Sequence, residues 1–200
     1  MLNNRILPTA YFGPIEYYAI ILKYNCSIET HEHFIKQSIR NRCQIYSSYG
    51  KLNLTIPKIS LNSSKTSIKD IKISYAQNWQ RTHWRAIKFS YNSSPYFQYY
   101  KEEIKNLMNK RETYLLKFNL KIHEKILSIL KINTEINITN QYFRQGDFKD
   151  LREYKFNNVL AEEYEQVFSN RHQFISNLSI LDLIFNLGPE STQYLQNIKI

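Results

Sequence analysis

Residues 68–91 read IKDIKISYAQNWQRTHWRAIKFSY, and the hydrophobic period changes inside that stretch. Up to Tyr75 the apolar residues alternate: Ile71, Ile73 and Tyr75 fall two apart, the spacing of a strand with one inward face. From Asn78 the spacing becomes helical. Trp79, His83, Ile87 and Tyr91 recur every fourth residue, so they lie along one stripe of a helix that Asn78 can cap. A strand-rich first part followed by a helical second part predicts an α+β fold, with a small N-terminal mixed or antiparallel sheet and a mainly helical C-terminal half.

Upstream, 51–56 (KLNLTI) aligns Leu52, Leu54 and Ile56, and 36–46 (KQSIRNRCQIY) alternates as well. Extended, the latter puts Lys36, Ser38, Arg40, Arg42 and Gln44 on one face and Gln37, Ile39, Asn41, Cys43 and Ile45 on the other. With Tyr49-Gly50 between them, the two segments read as a hairpin. Residues 59–66 read as a polar loop. Residues 4–12 read as a short strand entering a turn, and Pro14 suits the first turn of a helix that aligns Tyr17, Ile21 and Tyr24. Downstream, helices are expected over 97–109 and 112–132. Residues 133–160 are polar and aperiodic and read as loop. In 173–187, Ser179 and Asp182 have capping-box spacing, and Gly188 stands where that helix should stop.

A chain of 200 residues with 42% apolar content can bury one sizeable core, so a single domain over 1–200 is expected. Its net charge of +10 favours an anionic partner without choosing among phosphorylated metabolite, nucleic acid and membrane surface. Two cysteines without a CxxC pair, and five histidines without HExxH spacing, give no support for a metal site. With four glycines and no P-loop or GxGxxG, a glycine-rich phosphate cradle is not available, and no cofactor is expected. The first residues lack signal-peptide character and no stretch is long enough to span a bilayer, so a cytoplasmic protein with free thiols is expected.

Two constellations have the right residue types for a site. Arg40 and Arg42, two apart on a strand with Lys36 nearby, can hold a phosphate or carboxylate bidentately; a solvated strand face explains them equally. Trp79, His83 and Trp84 combine a base that titrates near neutrality with rings that stack on a sugar; a packed helix face with a hydrogen-bonded core histidine explains them too. Asp182 reads as a cap and Cys43 as a small core residue.

Five stretches, in this order, resemble the WbqC-like family: LPTAYFGPIEYYA (7–19), KQSIRNRCQI (36–45), GKLNLTIP (50–57), the segment 68–97 with its NWxxxHW run, and FISNLSILDLIFNLGPES (174–191). The family's first motif often reads HQPxYxPWxGYF; here its His, Gln and Trp are absent, so nothing assigned to them carries over. The resemblance implies a role in bacterial O-antigen or other surface-polysaccharide synthesis, as a transferase moving an acyl or glycyl group onto an amino sugar. It carries over Tyr11; Lys36, Arg40, Asn41 and Arg42; Trp79, His83, Trp84 and Tyr91; residues 95–97; and Ser179, Asp182 and Asn186. In that scheme Arg40, Arg42 and Lys36 hold the anion of a nucleotide- or lipid-linked sugar. His83 is the general base, and Trp79 or Tyr91 packs on the sugar, in one pocket shared by the cationic strand and the helix. The alternative is a non-catalytic binder of an anionic ligand or of single-stranded nucleic acid, whose bases stack on rings beside a basic groove. Oligomeric state is left open.

Overall fold

The computed structural model describes residues 4–59, 65–134, 137–144, 146–157 and 162–200. Its class is the expected α+β. Four short strands, β1 (Asn4–Leu7), β2 (Asn25–Ile28), β5 (Asn137–Ile138) and β6 (Phe148–Asp150), form a sheet in the order β5-β2-β1-β6, parallel at every pairing. A separate antiparallel hairpin joins β3 (Arg42–Ser47) to β4 (Gly50–Thr55).

Helix α1 (Ile15–Lys23) crosses from β1 to β2, and every residue from Ile15 to Ile21 is buried, as a crossover helix packed on several sides must be. Helices α2 (Trp79–Tyr91), α3 (Phe97–Asn109) and α4 (Leu115–Ile129) follow where the period of 3.6 places them. After the short α5 (Ser169–His172), α6 (Ile180–Leu187) is apolar nearly all round and lies inside the core; α7 (Ser191–Asn197) closes the chain against α1. Gly188 ends α6 at φ 52, and a Cβ there would sit 2.4 Å from the Tyr96 ring, so no other residue fits.

Several sequence expectations need correction. Residues 36–41 are a turn, not the first half of a strand. The Ser38 carbonyl accepts from Asn41 N (3.1 Å) and Arg42 N (3.0 Å), and Gln37 takes φ 55, so the apparent alternation is turn chemistry. Residues 68–75 form no strand. Ser67 caps a 3-10 turn at Ile68–Asp70, and beyond it only Lys72 and Ile73 make isolated bridges, although Ile71 and Ile73 are buried as their spacing requires. The polar stretch 133–160 supplies β5 and β6. The parts of the two polar loops at 60–64, 135–136, 145 and 158–160 lie outside the described residues. Ser179 does cap α6, accepting from Leu181 N at 3.3 Å, but Asp182 takes no reciprocal part and is buried among Tyr164 and Gln166.

Candidate functional site

In the sheet order, β2 and β6 flank β1 on opposite sides, so the chain leaving β1 and the chain leaving β6 diverge at their carboxyl ends. In open parallel sheets this is where a crevice forms. A cleft of about 720 Å³ opens there. The segment after β1 contributes Pro8 and Phe12, and the segment after β6 contributes Arg152 to Phe156. The turn at 36–40, the start of β3 and Asn177 complete the wall.

The backbone around this cleft is strained. Phe12 (φ 41), Gln37 (φ 55) and Asn177 (φ 56) all line it, and they are three of the five non-glycine residues with positive φ among those described. Each such residue costs about 1–3 kcal/mol, more readily tolerated by Asn than by Phe, and such costs cluster where a site dictates the backbone.

Five cations line the cleft and fall into two groups. Arg40 is 1% exposed, and its guanidinium is committed: Nε donates to Glu32 Oε1 (2.7 Å) and Nη2 to both Glu32 Oε2 and the Arg152 carbonyl. Arg152 is likewise held by Asp150 (Nε–Oδ1 2.9 Å) and Glu29 (Nη1–Oε2 3.2 Å). Glu32 is raised by burial, against the pull of Arg40, while Asp150 is lowered by its bonds from Arg152 despite its partial burial. These two arginines form a buried charged floor. Lys36, Arg42 and Lys155 have no carboxylate partner among the described residues. Arg42 is half-buried and steadied through Nε by Thr55 Oγ1 (3.0 Å), which leaves the rest of its guanidinium fork for a ligand. The half-buried rings of Tyr154 and Phe156 contribute the apolar part of the wall, 5.1 Å apart and edge-on.

The Trp/His stripe of α2 does not reach this cleft. His83 is 5% exposed, and its Nδ1 lies 2.9 Å from the Tyr11 hydroxyl. That bond ties the ring to Tyr11 rather than to a ligand. Burial pushes its pKa down to about 4. Trp79 packs edge-on against it at 5.1 Å, and Tyr11 and Trp79 are themselves buried. Tyr91 is fully buried, its hydroxyl accepting from Tyr46 N (3.1 Å). Asn41 is 6% exposed, its amide donating to the Ile56 carbonyl (3.1 Å). So the shared pocket expected of the cationic segment and the α2 stripe does not form: α2 packs that stripe inward against β3 and the segment around Tyr11. Trp84 stacks on Phe97 (6.1 Å), and Asn186 donates back to the Asp182 carbonyl (2.8 Å). Of the expected ligand-contacting residues, Lys36, Arg40 and Arg42 line the cleft; Tyr11, Asn41, Trp79, His83 and Tyr91 do not.

Sequence reasoning missed Lys155, Tyr154 and Phe156, which sit in the aperiodic stretch 133–160, and Asn177, which it read only as part of the periodic stretch 173–187. Cys43 reaches the cleft wall, but burial pushes its thiol up, so it is no thiolate nucleophile. Among the described residues no group of three or more His, Cys, Asp or Glu could hold a metal, and no helix is long and apolar enough to cross a membrane.

These features define a class: an α+β protein with a basic, ring-lined cleft at the carboxyl ends of a parallel sheet. The chain belongs to the WbqC-like protein family, whose profile matches residues 9–152 and 139–194. It is similar to the uncharacterized protein Rv1507c of Mycobacterium tuberculosis, with 24% identity over 82% of this chain and 84% of that one. No solved structure matches.

Proposed function

We propose that this chain is a cytoplasmic transferase of surface-polysaccharide synthesis that modifies an amino sugar attached through phosphate to a nucleotide or lipid carrier. One observation carries the proposal: three cations without a carboxylate partner among the described residues, Lys36, Arg42 and Lys155, line a cleft of about 720 Å³ beside the half-buried rings of Tyr154 and Phe156. Ligand pockets commonly fall in the range of 300–1,000 Å³, so a nucleotide sugar fits, whereas single-stranded nucleic acid calls for an extended groove. The cations suit the carrier phosphates, with Arg42 able to offer a forked contact, and the rings suit a sugar face.

A non-catalytic binder of the same ligand is the second reading. It is favoured by the burial of His83, which leaves the cleft without a histidine base. A crystal of the protein grown with UDP-glucosamine tests the proposal. Density for the diphosphate between Arg42 and Lys36 supports it; density elsewhere, or none at saturating ligand, overturns it.

A further inference from the structure

Helix α2 turns a stripe of like charge to solvent. Arg81, Arg85 and Lys88 stand at i, i+4 and i+7, all exposed, and Trp79–Tyr91 contains no Asp or Glu. None of the three has a carboxylate partner among the described residues. Gln80 Nε2 donates to the carbonyls of Met108 and of Lys110, the latter at 3.0 Å, which seats the end of α3 beside the first turn of α2 and brings the exposed Lys110 and Arg111 there. The Glu112 that follows is already paired with Lys117 and Lys121. Left alone, such a stripe is unfavourable. Like charges at these spacings repel, and Arg81 lies in a first turn, where the helix dipole favours an acid. The outward face of α3 mixes signs instead, pairing Glu102 with Lys105 and Glu103 with Lys125. The imbalance extends along the chain: residues 33–101 hold twelve Lys and Arg but a single acid, Asp70.

The charged side of α2 also carries an exposed ring. Phe89 is 78% exposed and follows Arg85 by four residues, so it stands one turn further along the same side. No residue of α2 lines the cleft, so this face is separate from the anion site. The cations call for many anions spread over a surface, and the ring calls for an apolar layer just beneath them. The headgroup boundary of an anionic bilayer offers both. Single-stranded nucleic acid stacks on several rings along a groove, whereas a convex helix with one ring offers no such track. We infer that the outward face of α2 docks on an anionic phospholipid surface, with Arg81, Arg85 and Lys88 on the headgroups and Phe89 as the apolar anchor. For the substrate, this rests on the cleft reading above: of the two carriers, a protein held at the membrane meets the lipid-linked sugar.

Flotation with vesicles tests the docking, using phosphatidylcholine alone and equal parts phosphatidylcholine and phosphatidylglycerol at one salt concentration. The proteins are the wild type, Phe89→Ser, the double variant Arg81→Ala with Lys88→Ala, and a control of equal charge change, Lys149→Ala with Lys199→Ala, both exposed and outside α2. All the substituted side chains are exposed, and thermal denaturation checks that each variant folds. The wild type should float with the phosphatidylglycerol vesicles and not with phosphatidylcholine alone. Each cation near such a surface corresponds to about fivefold in affinity, so the α2 double variant should bind about tenfold or more weakly. Phe89→Ser should lose about tenfold, the partitioning of one ring, and the control should stay within about threefold. No flotation, equal weakening by the two double variants, or binding indifferent to Phe89→Ser overturns the docking. So does a single-stranded oligonucleotide whose binding, read by fluorescence anisotropy, depends on Phe89 as strongly as that of the vesicles. No sugar is present in these assays, so their failure leaves the cleft reading standing, and a failed UDP-glucosamine crystal leaves the docking face standing.

Discussion

Replacing His83 by glutamine separates a buried structural histidine from a solvent-linked base. Glutamine can still hydrogen-bond the Tyr11 hydroxyl, but it does not titrate. The His83 pKa is about 4 in the folded chain against an ordinary 6.5. Between those values the unfolded chain carries a proton on this residue that the folded chain does not, so stability falls as pH drops from 6.5 to 4. At about 1.36 kcal/mol per pH unit, this one residue accounts for a loss of about 3 kcal/mol. Lost ring packing on Trp79 should make the His83→Gln variant about 1–3 kcal/mol less stable at pH 7.5. That deficit should shrink by about 3 kcal/mol by pH 4 and disappear or reverse. Urea unfolding of both proteins at pH 7.5, 6, 5 and 4 measures it, and titrations shared by both chains, such as that of His123, cancel in the difference. Parallel stability curves would refute the reasoning, because they would mean that the His83 ring titrates as it does in water.

Two further perturbations follow from the buried charges. Glu32→Gln leaves the Arg40 guanidinium buried without its counter-charge and should cost about 3–5 kcal/mol, lowering the melting temperature by about 6–20 °C at about 2–4 °C per kcal/mol; a shift under 2 °C would show that Arg40 is free to serve a ligand instead. Asp182 is raised by burial to about 6 from 3.8, so here the folded chain holds the extra proton and stability falls as pH rises through that window, by about 3 kcal/mol. Asp182→Asn should abolish that decline in the same urea series, and an unchanged slope between pH 4 and 6 would count against it.

Much of the helical half is legible in the sequence because a period of 3.6 needs only a local partner face: Phe97–Asn109 forms where its spacing places it, and Asn78 caps α2 by accepting from Arg81 N. The parallel sheet is not legible. Its strands are two to four residues long, too short to show a period, and β1 finds β6 nearly 150 positions away, so nothing local marks Phe148–Asp150 as strand. The site divides in the same way. Lys36, Arg40 and Arg42 stand out as a basic run, yet Arg40 and Arg42 have different tasks, because only folding brings Glu32 against one and not the other. The α2 stripe carries the residue types of a site and the spacing of a core face; the spacing prevailed, since α2 has the β3 side to cover and no other side chains to cover it with. The Tyr154 hydroxyl donates to Glu16, 138 positions away, and no sequence signal joins them.

The most direct test of the anion cleft is the affinity for inorganic pyrophosphate of the wild type, Arg42→Ala and, as a control of equal charge change, Arg85→Ala on the exposed side of α2, all at one salt concentration. A chain of net charge +10 attracts anions everywhere, so the control decides. Arg42→Ala should weaken binding about tenfold or more with the fold intact, and Arg85→Ala should leave it within about twofold. Equal weakening by the two substitutions, or by neither, would contradict a site in the cleft.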